Sequence, residues 1–325
     1  MKIACPISKL TEIEPLAEAG ADEFYCGILY GKERINCRPA TSKFNFKNLE
    51  ELKRAIEISH SFNKDIWLVI NYRMPFSFPF SQKGKSMVKN GLELFKEAAK
   101  LGVDGVIVAD LPLLLEILSF SPRPENIKLA CSTMLPVLNS QSINFFKKLG
   151  YQRMILDRQM TVKEIQSIDK KVEDIELEIF TNCECLYLDG FCKLEAIGLE
   201  HFSSGQDRVP CRFPFNFTIP HSNLNKKSGK EIISSLRRNT TWMPLTRWYL
   251  SSLFHFIKLR NVLILKVTAR GIPLMYLVPV VKAFKLASNF LVNSRPSHKD
   301  YLNFCKKELG LFFKYDFKDG YMNPF

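Results

Sequence analysis

Histidine is scarce in this sequence, and several common catalytic signatures are missing. The five histidines, His60, His201, His221, His255 and His298, avoid the predicted strand ends. No His-Glu-x-x-His pair and no Gly-x-Ser-x-Gly elbow occurs, which removes the usual zinc peptidase and serine hydrolase readings. No glycine-rich fingerprint follows the first predicted strand, so a dinucleotide-binding open sheet loses its main signal. No uncharged apolar run is long enough for a bilayer. The most apolar stretch, 262–281, is broken by Lys266 and Arg270, and each cation at a bilayer centre costs about 2.5–3.5 kcal/mol. The opening Met1-Lys2-Ile3-Ala4-Cys5-Pro6 reaches acidic residues before any long apolar run. We therefore expect no signal peptide, no membrane span and a cytoplasmic protein.

Cysteine, by contrast, is plentiful. Nine cysteines, an odd number in a large chain, fit a reducing compartment in which clustered thiols serve metals or redox chemistry rather than disulfides. The net charge is +13, with positive residues spread widely and mildly concentrated at 226–238 and in the last third. A nucleic-acid partner fits that charge, and so does a plain basic, solvated surface.

Short β-rich runs recur along the chain at Lys2–Cys5, Glu23–Cys26, Asp65–Asn71, Gly105–Asp110, Lys128–Ser132, Arg153–Asp157, Glu176–Phe180 and Val262–Val267. Most are continuous apolar runs, as parallel strands covered on both faces require. Helical spacing fills the gaps. Leu49, Leu52 and Ile56 share a face, as do Val88, Leu92, Phe95 and Ala99, and Val162, Ile165 and Ile168. Thr161 and Glu164 form a candidate capping box, and Gly20, Gly102 and Gly150 stand where helices should close. Eight such units predict an α/β fold, a (β/α)8 TIM-type barrel, with a doubly wound open sheet as the competitor.

The rhythm breaks once, between the seventh and eighth strands, across about 80 residues, far beyond an ordinary connection. The chain thus divides into 1–182 (strands one to seven), 183–260 (a cysteine-bearing insertion and helix seven) and 261–325 (last strand, helix and tail). Cys5, Cys26 and Cys131 end strands and individually read as small buried hydrophobes. Cys37 lies in the loop after strand two, and Cys183, Cys185, Cys192 and Cys211 follow strand seven. The last four have no packing reason to sit in a loop. Thiolates suit zinc or an iron–sulfur cluster, and spacing alone leaves both open.

These residues resemble the U32 peptidase-like family. Gly20-Ala21-Asp22-Glu23-Phe24-Tyr25-Cys26-Gly27 is similar to its GADxxYxG element. Asn36-Cys37-Arg38-Pro39-Ala40 with Asn45-Phe46 resembles its NARAS and NF segments. Ser132-Thr133, Leu156-Asp157-Arg158 and Lys266-Val267-Thr268-Ala269-Arg270 stand where the family has S-T-Q, L-A-R and K-I-E-G-R. The most specific part is Cys185 to Cys192, a C-x6-C, followed by Gln206-Asp207-Arg208-Val209-Pro210-Cys211 in place of NRGxC.

The resemblance implies a 4Fe–4S cluster with Cys185, Cys192 and Cys211 as ligands. It also implies an oxygen-independent hydroxylase acting on RNA, a peptide or a small molecule, with prephenate as an oxygen donor in some members. The family's fourth cysteine, before the last strand, is missing near Leu245-Thr246-Arg247. Cys37 is the first choice to replace it, Cys183 the second, and an open iron site the third. Lys266, Arg270 and Arg38 are expected to bind a carboxylate-bearing donor or substrate, since arginine pairs bidentately with carboxylates. Their plainer role is a barrel-mouth ion pair with Asp110 or Asp157. Thr181-Asn182 replaces the family's His-Gly, and Thr268 its acidic residue. Two alternatives follow: a peptidase pairing a rim cysteine with a distant histidine, and a non-catalytic cluster-binding subunit of a heterodimer with a second family member.

Overall fold

The computed structural model describes residues 1–30, 44–71, 82–120, 124, 126–158, 160–181, 250, 253–261, 263–268 and 273–309, with side chains of α3 described from 85 onward. Eight parallel strands close into a barrel in chain order: β1 Lys2–Pro6, β2 Glu23–Cys26, β3 Asp65–Ile70, β4 Gly105–Val108, β5 Lys128–Cys131, β6 Arg153–Ile155, β7 Glu176–Phe180 and β8 Leu263–Lys266. Closure comes from β8, which pairs with β7 through Phe180↔Lys266 and with β1 through Lys2↔Ile264 and Ala4↔Lys266. The predicted barrel is therefore the observed one.

Helices follow the strands: α1 Ile13–Glu18, α2 Leu49–Ser61, α3 Gln82–Leu101, α4 Leu111–Ser119, α5 Ser140–Lys148, α6 Val162–Asp169, the short α7 Leu253–Phe256, and α8 Leu274–Ser294, with α9 His298–Phe304 behind them. Their ends follow from local chemistry. Thr161 accepts from the Glu164 amide at 3.3 Å while Glu164 accepts from the Thr161 amide at 2.7 Å, closing the predicted capping box. Asn48 caps α2 by accepting from the Glu51 amide at 2.9 Å. After α1 the chain turns at Gly20 with φ +106°, and a Cβ there would lie 2.5 Å from Lys285 Cγ. Glycine is required on both counts. The same Lys285 donates to Asp22 at 2.8 and 2.9 Å, tying α8 to the start of β2.

Strand alternation sorts the core into two shells. Ile3, Cys5, Phe24, Cys26, Leu68, Val106, Cys131, Met154, Leu177 and Leu265 face outward and pack against the helices. Ala4, Tyr25, Trp67, Val69, Ile107, Ala130, Ile155, Phe180 and Ile264 form a separate cluster that fills the barrel interior. On α3 the buried face is Leu94, Phe95 and Ala98, with Leu92 and Ala99 only partly covered. It lies one position away from the predicted stripe, because the helix is apolar over a wide arc. Among the described residues α8 is long and apolar enough to cross a bilayer. Here its Leu277, Val280, Val281, Phe284, Ala287 and Leu291 are buried in the outer shell.

Candidate functional site at the barrel mouth

Charged side chains occupy the floor of the barrel. Arg153 of β6 is 1% exposed and reaches Glu23 of β2, four strands away around a ring of eight. It therefore crosses the full width of the interior. Its Nη2 donates to Glu23 Oε2 at 3.0 Å, its Nη1 to Glu178 Oε2 at 3.1 Å, and its Nε to Glu176 Oε2 at 2.8 Å. A shorter contact joins its Nη1 to Glu23. The guanidinium also stacks on Trp67, 3.8 Å from the ring centroid. Trp67 itself closes over Gly105, where a Cβ would meet the ring at 2.4 Å. At this level the barrel is plugged, so any ligand must sit above it, on the side of the strands' C-terminal ends.

Lys266, at the end of β8, is the second buried cation. Its Nζ pairs with Glu178 and lies 3.9 Å from the centroid of the Tyr25 ring. Tyr25 is fixed in turn, donating its hydroxyl to the Val267 carbonyl at 2.7 Å. The ion-pair partner of Lys266 is thus Glu178 rather than Asp110 or Asp157. Burial pushes the Lys266 ammonium below the usual lysine range, and Glu178 opposes that shift. Burial raises Glu23 above the carboxylate range despite Arg153. It would raise Glu176 too, but there Arg153 wins and the carboxyl is held low.

Above the plug, polar side chains ring the mouth. Asn71, just past β3, donates to Ser132 Oγ past β5 at 3.0 Å and accepts from the Ala109 amide past β4 at 2.8 Å. One amide therefore ties three strand ends together. Asp110 caps α4 through the Leu113 amide at 2.8 Å, and burial raises its carboxyl above the usual range. Thr181 donates its hydroxyl to the Lys266 carbonyl at 3.1 Å, so the residue replacing the family's histidine has a structural bond in this barrel. Arg158 places its guanidinium 4.2 Å from the Phe180 centroid. The sequence reading missed Glu23, Arg153 and Glu178. The signal was present as charges inside apolar strands at inward-facing positions.

The three strand-end cysteines face away from the mouth. Cys5, Cys26 and Cys131 are fully buried in the outer shell, and burial raises the thiols of Cys5 and Cys131 far above their usual range. Cys305 is buried as well, its thiol pushed up to about 11. None of the four forms a disulfide, and among the described residues no group of three His, Cys, Asp or Glu side chains could hold a metal. The expected ligands Cys37, Cys185, Cys192 and Cys211, the alternative Cys183, and Arg38 and Arg270 lie outside the described residues.

The anchor points of the segments that carry those residues are described. The feet of 31–43 are clamped beyond β2, where Leu29 donates to the Phe46 carbonyl at 2.8 Å and Phe46 to the Gly27 carbonyl at 2.9 Å. The segment from 182 onward leaves Thr181, whose amide is held by the Lys266 carbonyl at 2.9 Å. Both segments therefore depart from the same face of a parallel barrel, three strands apart through β8 and β1.

Comparison with known proteins agrees with this architecture. The family model for Peptidase family U32 matches residues 8–324. The tRNA hydroxylation protein P of Haemophilus influenzae is 28% identical over 216 residues, 66% of this chain and 43% of that protein. Its Escherichia coli counterpart is 25% identical over 217 residues, 66% of this chain and 44% of that protein. The chain thus spans less than half the length of these relatives. A U32 peptidase of known structure superposes with a TM-score of 0.50 at 12% identity, covering 84% of this chain and 94% of that one. That likeness concerns the fold alone. With the family match running through almost the whole barrel, this chain belongs to Peptidase family U32.

Proposed function

We propose that this protein is a hydroxylase-type member of the family that acts on tRNA and carries a 4Fe–4S cluster. The observation that carries the reading is its match, over about two thirds of the chain, to proteins named for tRNA hydroxylation. The net charge of +13 supports a polyanionic partner. Cys37, Cys185, Cys192 and Cys211 would hold the cluster, a donor set of soft thiolates that suits iron–sulfur better than a hard cation. A cluster held by four thiolates supplies electron transfer. The shared departure face of the two cysteine-bearing segments supports ligation across the mouth. Arg38 and Arg270 would bind a carboxylate-bearing donor of the prephenate type. The reaction would be oxygen-independent.

A second reading is a cluster-binding partner subunit paired with another family member. Bacillus subtilis has two relatives, tRNA hydroxylation proteins P1 and P2, 26% and 27% identical to this chain. The replacement of the family's histidine by Thr181, committed to the Lys266 carbonyl, favours a departure from catalysis in this chain. Nucleoside mass spectrometry of bulk tRNA, from cells with and without an intact copy, tests the main reading. Loss of a hydroxylated nucleoside without the protein is expected. An unchanged nucleoside profile contradicts it.

A further inference from the structure

Lys266 is set apart from the other lumen cation. Among the described residues Arg153 ends on three carboxylates, whereas Lys266 Nζ meets one, Glu178, and also faces the Tyr25 ring. Its strand position places it on the mouth side of the plug. Its register neighbours are Phe180 on β7 and Ala4 on β1.

Charge decides what this lysine can accept. Glu23, Glu178, Arg153 and Lys266 are all buried, and their formal charges cancel, two against two; the partly exposed Glu176, also on Arg153, is balanced by Lys128. A carboxylate arriving at Lys266 would leave the set with an uncompensated negative charge, which is costly in a buried site. A neutral ligand would not. If the ammonium passes a proton to Glu178, the amine becomes a nucleophile and the set stays neutral. Arg153 still holds Glu178 through its other oxygen, so the acid stays in place during the transfer.

We propose that Lys266 is a nucleophilic amine that captures a small neutral aldehyde or ketone at the barrel mouth as an imine, with Glu178 carrying the proton. The Nζ lone pair forms the carbon–nitrogen bond, and the carbonyl oxygen takes the proton from Glu178 to give a carbinolamine. Glu178 then removes a proton from nitrogen and returns it to the hydroxyl. The carbon–oxygen bond breaks, water leaves, and a protonated imine remains beside the Glu178 carboxylate. No oxidant or reductant is needed. Burial, which lowers the ammonium's hold on its proton, favours the free amine. The capture goes beyond the tRNA and cluster reading and depends on neither.

The intact protein is incubated near pH 7 with propionaldehyde and cyanoborohydride, which reduces the imine to a stable amine, and labelling rates are compared by peptide mass spectrometry. Lys266 should label faster than the exposed Lys299 and Lys306, because burial favours its neutral amine and Glu178 stands beside it to carry the proton. Glyoxylate, the anionic probe, should label Lys266 more slowly than propionaldehyde does. Glu178→Gln, checked for native circular dichroism, should slow labelling at Lys266 alone. If that variant does not fold, the wild-type comparison decides. Lys266 left unlabelled, or labelled no faster than Lys299, overturns the proposal, and unchanged labelling in a folded Glu178→Gln overturns the role of Glu178.

Discussion

Replacing Arg153 with Met probes the plug that sets the floor of the site. Methionine keeps an unbranched apolar stem against Trp67 but removes the charge shared by three carboxylates. Two of these have another partner: Glu178 keeps Lys266, and the partly exposed Glu176 keeps Lys128 at 3.5 Å. Glu23 is different. Both of its described hydrogen bonds come from Arg153, and it is 1% exposed. Removing one partner of a buried ion pair costs about 3–5 kcal/mol, a large part of the roughly 5–15 kcal/mol that holds a domain folded. Burial already places the Glu23 carboxyl above its usual range with Arg153 present, and it should rise further without the guanidinium. A group whose folded pKa exceeds its unfolded value keeps its stabilising contribution at low pH and loses it as pH rises through the folded value. The deficit of Arg153→Met should therefore grow between pH 5 and pH 7, and Glu23→Gln added to it should restore much of the loss and flatten the pH dependence. Urea unfolding followed by circular dichroism at both pH values measures this. A loss below about 1 kcal/mol at pH 7, or one equal at both pH values, would refute the reasoning.

Gly105→Ala should destabilise by about 1–3 kcal/mol through overpacking, since the new Cβ would meet the Trp67 ring at 2.4 Å; thermal unfolding reads it, and a neutral result would mean that Trp67 can move off Arg153. Cys185→Ser, Cys192→Ser and Cys211→Ser should each lose or destabilise the cluster, because each removes a soft thiolate, whereas the buried Cys305→Ser should keep normal iron content. Cys37→Ser should abolish normal cluster binding and Cys183→Ser should be tolerated; the reverse pattern in iron content would place the fourth ligand in the strand-seven segment alone.

Much of the barrel was readable because parallel strands buried on both faces appear as apolar runs. All eight runs became strands, with β2 and β7 matching at both ends. The expected strands ran one or two residues long at Asn71, Asp110, Ser132 and Asp157. There the chain leaves the ladder but stays buried, with Asn71 and Ser132 bonded across the strand ends, so composition continues after pairing stops. The charges of the plug were harder to see. Arg153 and Glu176 open their predicted strands and look like boundaries when only apolarity is read, and the meaning of Arg153 depends on Glu23, four strands away. The direction of Cys5, Cys26 and Cys131 was available from parity: Ala4 and Tyr25 face inward, so their neighbours Cys5 and Cys26 face out. The metal assignment rests on Cys37, Cys185, Cys192 and Cys211, which lie outside the described residues.

Metal analysis of the protein purified under anaerobic conditions tests the proposed function most directly. A brown preparation with about four irons and four sulfides per chain is the expected result for a 4Fe–4S cluster. Stoichiometric zinc without iron would contradict the cluster while leaving the barrel and the family intact.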